Sequence, residues 1–168
     1  MEKNFQNKEA LEKLKEIAED IRVCMYCTMQ HSDDVASRPM STARVDEDGT
    51  IWFFSSTHTG AVQQSQTGNE VCLNYSSPAK NLYMCVMGNA TAVQDKAKMK
   101  ELWSDILITW FPDGLETPGI ALLKVTPTAA HYWESDVARL RILFSYLKAK
   151  ITGEPANGSE GTEGQLHV

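Results

Sequence analysis

From residue 22 to residue 93 the chain offers five strand-like runs in succession, at 22–30, 36–45, 50–56, 70–76 and 82–93, and only the gap at 57–69 has room for even a short helix. Each run is rich in β-branched, aromatic or sulfur-containing residues and is bounded by polar or Gly/Pro punctuation. A doubly wound parallel sheet needs a crossover helix between most strands, so this order favours a small antiparallel barrel. The clearest turn is Asp46-Glu47-Asp48-Gly49, where the glycine can take a positive φ and join 36–45 to 50–56 as a hairpin.

Helical spacing flanks these runs. Leu11, Leu14, Ile17, Ala18 and Ile21 form one apolar stripe, which predicts an amphipathic helix over 8–21. Met99, Leu102, Trp103, Ile106, Leu107, Trp110 and Phe111 recur in the same way, predicting a second helix over 95–111 that Pro112-Asp113-Gly114 stops. Two further strands, 120–125 and 129–133, lead to a helix near 137–151. The remainder, 152–168, holds four of the ten glycines and little to bury, so it reads as a flexible tail on one domain spanning 1–151. A chain of 168 residues, 42% apolar, is long enough to build that core without a metal or disulfide staple.

The 16 Lys and Arg against 22 Asp and Glu leave a net charge of −6, which argues against nonspecific nucleic-acid binding, since that needs cations to neutralise phosphates. The amino-terminal segment is charged throughout, unlike a signal peptide, and no run approaches the ~20 apolar residues of a membrane span. The expectation is a soluble cytoplasmic protein. In such a setting Cys24, Cys27, Cys72 and Cys85 read as free thiols. Cys24 and Cys27 form a C-x-x-C, but on a strand their odd separation sends them to opposite faces, which suits neither a redox pair nor a zinc site.

Strand 36–45 puts Arg38, Met40, Thr42 and Arg44 on one face by its two-residue period, and two arginines there suit an anion. The neighbouring Trp52-Phe53-Phe54-Ser55-Ser56 run leads into Thr57-His58-Thr59-Gly60-Ala61, a hydroxyl-rich turn at the start of a short helix. Hydroxyls and free N–H groups there attract phosphate, with Arg38 as a bidentate partner. The competing reading is that the hydroxyls only cap the helix and Arg38 pairs with a surface carboxylate. Met84, Met87, Trp103 and Trp133 read as core, His131 as a buried or interface residue, and Arg139 and Arg141 as solvated charge. There is no nucleophile elbow, no paired carboxylates in an apolar setting, and neither common nucleotide-binding glycine motif.

Ser37-Arg38-Pro39-Met40, the D-E-D-G hairpin, Trp52 to Ser56, Val71 to Tyr75, Asn81 to Gly88, Trp110-Phe111-Pro112-Asp113-Gly114 and L-L-K-V-T-P…Y-W-E-S occur in one order over about residues 8–150. Together they closely resemble the general stress protein branch of the pyridoxamine 5'-phosphate oxidase-like split barrels. The resemblance implies a mainly β chain, a six-stranded antiparallel split barrel with peripheral helices. It also implies a homodimer that binds FMN in two clefts between subunits. By the same resemblance the phosphate lies near Arg38, Ser55, Ser56 and Thr59. The flavin ring rests against Pro39, Met40, Trp52 and Phe53, while Trp110 and Phe111 approach from the partner.

One position departs from the family pattern, because Ala61 stands where a phosphate-contacting lysine is expected. Losing one charge-assisted hydrogen bond of about 1.5–3 kcal/mol weakens FMN by roughly ten- to a hundredfold or more and makes it exchangeable. The segment Gln63 to Gly68 is also poor in helix formers, and His58, when protonated, is a candidate to compensate. Three functions stay open: an FMN-dependent oxidoreductase acting on a small molecule with a reduced nicotinamide or similar donor, a noncatalytic flavin-binding stress-response protein, or a barrel holding FAD, a deazaflavin or haem.

Overall fold

The computed structural model describes residues 5–6, 8–31, 34–67, 70–134 and 162–167. A two-residue strand β1 (Phe5–Gln6) precedes helix α1 (Lys8–Ile21), then β2 (Val23–His31), β3 (Asp34–Val45) and β4 (Ile51–Ser56). Helix α2 (Gly60–Thr67), β5 (Glu70–Ser77), β6 (Leu82–Val93), α3 (Lys96–Leu102), β7 (Ile120–Glu134) and β8 (Thr162–His167) complete the order. Strands pair as β7-β4-β3-β2-β5-β6, and β6 returns to β7 to close a six-stranded antiparallel barrel. This is the mainly β architecture expected from the sequence.

Two cores flank the barrel wall. Inside lie Tyr26, Phe53, Leu73, Met84, Val86 and Leu123, with Leu14 and Ile17 of α1 joining the same cluster. Each large side chain buried there contributes about 1.5–3 kcal/mol, so the helix is held by its stripe rather than by propensity. Outside β4, Trp52, Phe54 and Leu122 pack with Met99, Leu102 and Phe111. Strand β4 is therefore buried on both faces, which explains why its sequence does not alternate.

The hairpin forms as expected. Asp46 N–H donates to the Thr50 carbonyl at 2.9 Å, Gly49 N–H donates to the Asp46 carbonyl at 3.0 Å, and Gly49 sits at φ 84°. A side chain at Gly49 would also meet Leu11 Cδ2 at 2.6 Å, so helix α1 and the turn approach closely.

Four expectations are corrected. The helix predicted over 95–111 ends at Leu102, where Trp103 turns extended (ψ 136°) and places its ring edge-on to Phe54, 5.7 Å between centroids. Asp105–Thr109 then forms a 3-10 turn, and this break leaves Ile106, Ile108 and Trp110 exposed rather than on one apolar face. The two strands predicted at 120–125 and 129–133 are one, β7, whose first half lies between β4 and β6 and whose second half lies between β6 and β8. The segment read as a tail contains β8, which pairs antiparallel with β7 and parallel with β1. Met87 and Trp133, expected in the core, point outward from the barrel, while Met84 is buried. The helix expected at 137–151, with Arg139 and Arg141, lies outside the described residues. Among the described residues no helix is long and apolar enough to cross a membrane.

Candidate functional site

On β2 the inward positions are Cys24, Tyr26 and Thr28, and Arg38 of β3 lies directly across from Tyr26. The arginine reaches toward α2. Its Nη2 donates to Thr28 Oγ1 at 3.0 Å and to Gln64 Oε1 at 2.9 Å, and Thr28 Oγ1 itself donates to Gln64 Oε1. Nη1 is buried and has no hydrogen-bond partner among the described residues. It faces the start of α2, where a side-chain carbon at Gly60 would stand 3.9 Å from it. A buried guanidinium N–H without an acceptor is costly, and its remaining partners here are neutral, so an anion brought to this point gains a charge-assisted bond.

The turn that precedes α2 is built from its own hydroxyls. Ser55 Oγ and Thr59 Oγ1 lie 2.9 Å apart, Thr59 Oγ1 donates to the Ser56 carbonyl at 2.8 Å, and Val62 N–H donates to Thr59 Oγ1 at 3.4 Å. Thr57 N–H donates to the Gly119 carbonyl at 2.8 Å, tying the turn to the start of β7. Gly119 has φ 75°, and a side chain there would meet Thr57 Oγ1 at 2.7 Å and His58 Nε2 at 3.0 Å, so only glycine lets the two segments approach. His58 thus lies on the Gly119 side of the turn. Ala61 is buried, as is Val62. Behind them Ser65 Oγ donates to the Ala61 carbonyl at 2.7 Å and lies 3.1 Å from Tyr26 Oη, which pins α2 to the barrel. Burial pushes the Tyr26 phenol above its usual range, with Ser65 and the Arg38 charge opposing.

The residues expected at a phosphate, Arg38, Ser55, Ser56 and Thr59, are thus gathered where β3, β4 and α2 meet. Those expected beside a ring are not gathered within one chain. Pro39 is exposed beside its cross-strand partner Met25, whereas Met40 faces the other way and packs partly buried on the inner core. Phe53 is sealed in that core, edge-on to Tyr26 at 5.7 Å. Trp52 faces the outer core, donates from Nε1 to Asp46 Oδ2 at 2.8 Å and lies under Lys98 Nζ, 5.1 Å from its centroid. Phe111 is buried against Phe54 at 6.2 Å, and Trp110 is 64% exposed.

The shared arginine face is corrected by a bulge. Pairing between β3 and β4 slips between Thr42 and Arg44, so Thr42 and Val45 are both buried and Arg44 turns to the outside. There it bonds Glu101 through Nη2, with Asp46 3.7 Å from Nε. Thr28 and Gln64 were not singled out from sequence. Thr28 had a signal, a hydroxyl at an inward strand position; Gln64 matters only because α2 folds back over β2 and β3.

Comparison with known proteins gives concordant findings. The family model described as pyridoxamine 5'-phosphate oxidase like matches residues 9–157. Protein bli-3 of Neurospora crassa is 23% identical over 129 residues, 71% of this chain, and the chain spans only 62% of that relative's length. Among solved structures, a protein related to general stress protein 26 from Clostridium acetobutylicum superposes with a TM-score of 0.66 at 21% identity, covering 76% of this chain and 90% of that one. The general stress FMN/FAD binding protein of Xanthomonas citri gives a TM-score of 0.65 at 26% identity, covering 76% and 90%.

Proposed function

Since the chain belongs to the pyridoxamine 5'-phosphate oxidase-like family, we propose that it binds a flavin, FMN, by its phosphate at Arg38 and the Ser55 to Thr59 turn, and that it serves as a flavin-dependent oxidoreductase for a small molecule. The observation that carries this reading is the buried, unpartnered Nη1 of Arg38 beside the start of α2. A monoester phosphate offers the acceptor this atom lacks, and Thr28 and Gln64 hold the guanidinium in place to receive it. The flavin, when bound, supplies hydride or electron transfer between a reduced nicotinamide or similar donor and the substrate.

The chain's own residues then bind and orient. Ser55 and Thr59 present hydroxyls to the phosphate, and Gly119 keeps the turn in register with β7. Phe53 and Trp52 have their side chains committed to the two cores on opposite faces of β4, so neither is free to stack on the ring and both act by fixing the strand. Of Pro39 and Met40, which face opposite ways on β3, the exposed Pro39 is the one free to meet the ring. Trp110, exposed with Ile106 and Ile108, supports a homodimer in which this segment completes the partner's cleft. The reading expects a cytoplasmic protein, where thiols stay reduced and nicotinamide is at hand.

Ala61 favours a second reading, a noncatalytic flavin-binding protein whose cofactor exchanges. Its side chain is buried, and no lysine stands at that position to add a second cation to Arg38. Titration with FMN, followed by quenching of flavin fluorescence, tests both: saturable binding with nicotinamide-dependent turnover supports the oxidoreductase. Binding without turnover supports the second reading, and no binding at high micromolar FMN overturns the flavin assignment.

A further inference from the structure

The outward faces of β2, β5 and β6 carry a thiol cluster that the anion cradle does not use. Cys27 and Cys72 are direct cross-strand partners, and Cys72 is the diagonal neighbour of Cys85, whose direct partner is Asn74. The Sγ atoms of Cys72 and Cys85 lie 3.3 Å apart. Asn74 Nδ2 donates to Cys72 Sγ at 3.5 Å and to Cys27 Sγ at 3.6 Å, and Cys27 Sγ donates to Ser37 Oγ at 3.3 Å. All four cysteines are free; Cys24 is turned inward and its burial pushes the thiol up to about 12, whereas the other three are half-buried. Among the described residues no group of three or more His, Cys, Asp or Glu side chains is arranged to hold a metal ion.

We propose that Cys72 and Cys85 form a hydroperoxide-reactive dithiol that closes to an intrachain disulfide between β5 and β6. The site stands apart from the flavin reading and needs no cofactor. Bringing the sulfurs from contact to a bond of about 2.05 Å requires an approach of about 1.3 Å, which for a diagonal pair takes side-chain rotation together with a small shift of the two strands. The pair is also asymmetric. Either thiol can donate in the bond between them; with Cys72 as donor, the bond lowers the Cys85 thiol and pushes Cys72 up. Among the described residues Cys27, Cys72, Tyr83 two positions along β6 and, directly across on β7, His131 are the titratable groups around Cys85.

That asymmetry assigns the roles. Cys85 thiolate attacks one peroxide oxygen, the O–O bond breaks, and the leaving hydroxide takes a proton to become water, which leaves Cys85 as the sulfenic acid. Cys72 then attacks the Cys85 sulfur. The S–S bond forms, the S–O bond breaks, and the departing hydroxide leaves as water with the Cys72 proton. In sum two thiols and one hydrogen peroxide give one disulfide and two waters, and a dithiol reductant restores the pair.

The test is to treat the reduced full chain with stoichiometric hydrogen peroxide at pH 7 and read intact mass and non-reduced tryptic peptides. Arg44, Lys80 and Lys96 separate Cys27, Cys72 and Cys85 into three peptides, 23–44, 45–80 and 81–96. The expected product is about 2 Da lighter, links 45–80 to 81–96, and returns to the starting mass with dithiothreitol. Its formation should run severalfold faster than oxidation of a free cysteine, because the neighbouring thiol holds Cys85 below its usual range and raises its share of thiolate. Cys72→Ser should stop at a sulfenic acid on Cys85 that dimedone traps, Cys85→Ser should lose the fast reaction, and Cys27→Ser should leave it unchanged. A link to 23–44, a bond between two chains, or sulfinic acid without the lighter species would overturn the proposal.

Discussion

The two ends of β3 carry an arginine each, and the two have opposite fates. At one end Arg38 is held by a threonine hydroxyl and a glutamine carbonyl, with a buried N–H left over. At the other, a bulge turns Arg44 to the outside, where Glu101 and Asp46 neutralise it although its Nε too is buried without a hydrogen bond, so the difference between the two lies in the charge of their neighbours. The same residue type on the same strand thus sits among neutral partners at one position, where we propose an anion, and in a surface ion network at the other, where its partners are carboxylates. Availability of charge, more than its presence, separates the two ends.

The largest effect that would break this contrast is on flavin affinity. Arg38→Met should weaken FMN binding by roughly ten- to 150-fold, the loss of about 1.5–3 kcal/mol in a charge-assisted bond, while Arg44→Met should change it less than about threefold. Equal losses in a fluorescence titration would erase the distinction. Gln64→Glu sharpens it further, since it gives Arg38 the carboxylate partner that Arg44 already has. FMN affinity should fall about tenfold although the guanidinium is intact, and a tighter complex would show that the neutral cage is not what keeps the arginine available. The smallest effect belongs to the outer end: Glu101→Gln should cost under about 1 kcal/mol in urea unfolding, because the pair is partly exposed, and should leave FMN affinity unchanged.

Much of this was legible locally. The apolar stripe of α1, the Asp46 to Gly49 turn and the five runs through Val93 are set by contacts within a few residues, and they appear where their periodicity places them. Arg38 was legible as a candidate because two arginines on one strand face are unusual for packing, and the structure leaves one of its N–H groups buried without an acceptor. The face of Arg44 was not, because a bulge depends on how β3 and β4 settle against each other rather than on either sequence. The helix expected through Phe111 failed for a similar reason: Trp103 gains more against Phe54 than by continuing the helix, and that ring arrives from a strand nearly fifty residues away. Gln64 became visible only once α2 lay across β2 and β3. The thiol row was hidden too, since Cys27, Cys72 and Cys85 are distant in sequence and meet through register alone.

Strand β7 outruns its neighbour β4, and from Ala130 to Glu134 the flank that β4 leaves bare is covered by β8. Such a margin, left open, is a template on which a stray chain can lay a strand of its own. The carboxy-terminal segment thus serves as a selvedge that keeps the woven edge from catching. A chain cut before Thr162 should still close its barrel yet form oligomers through that margin, visible as a concentration-dependent rise in light scattering.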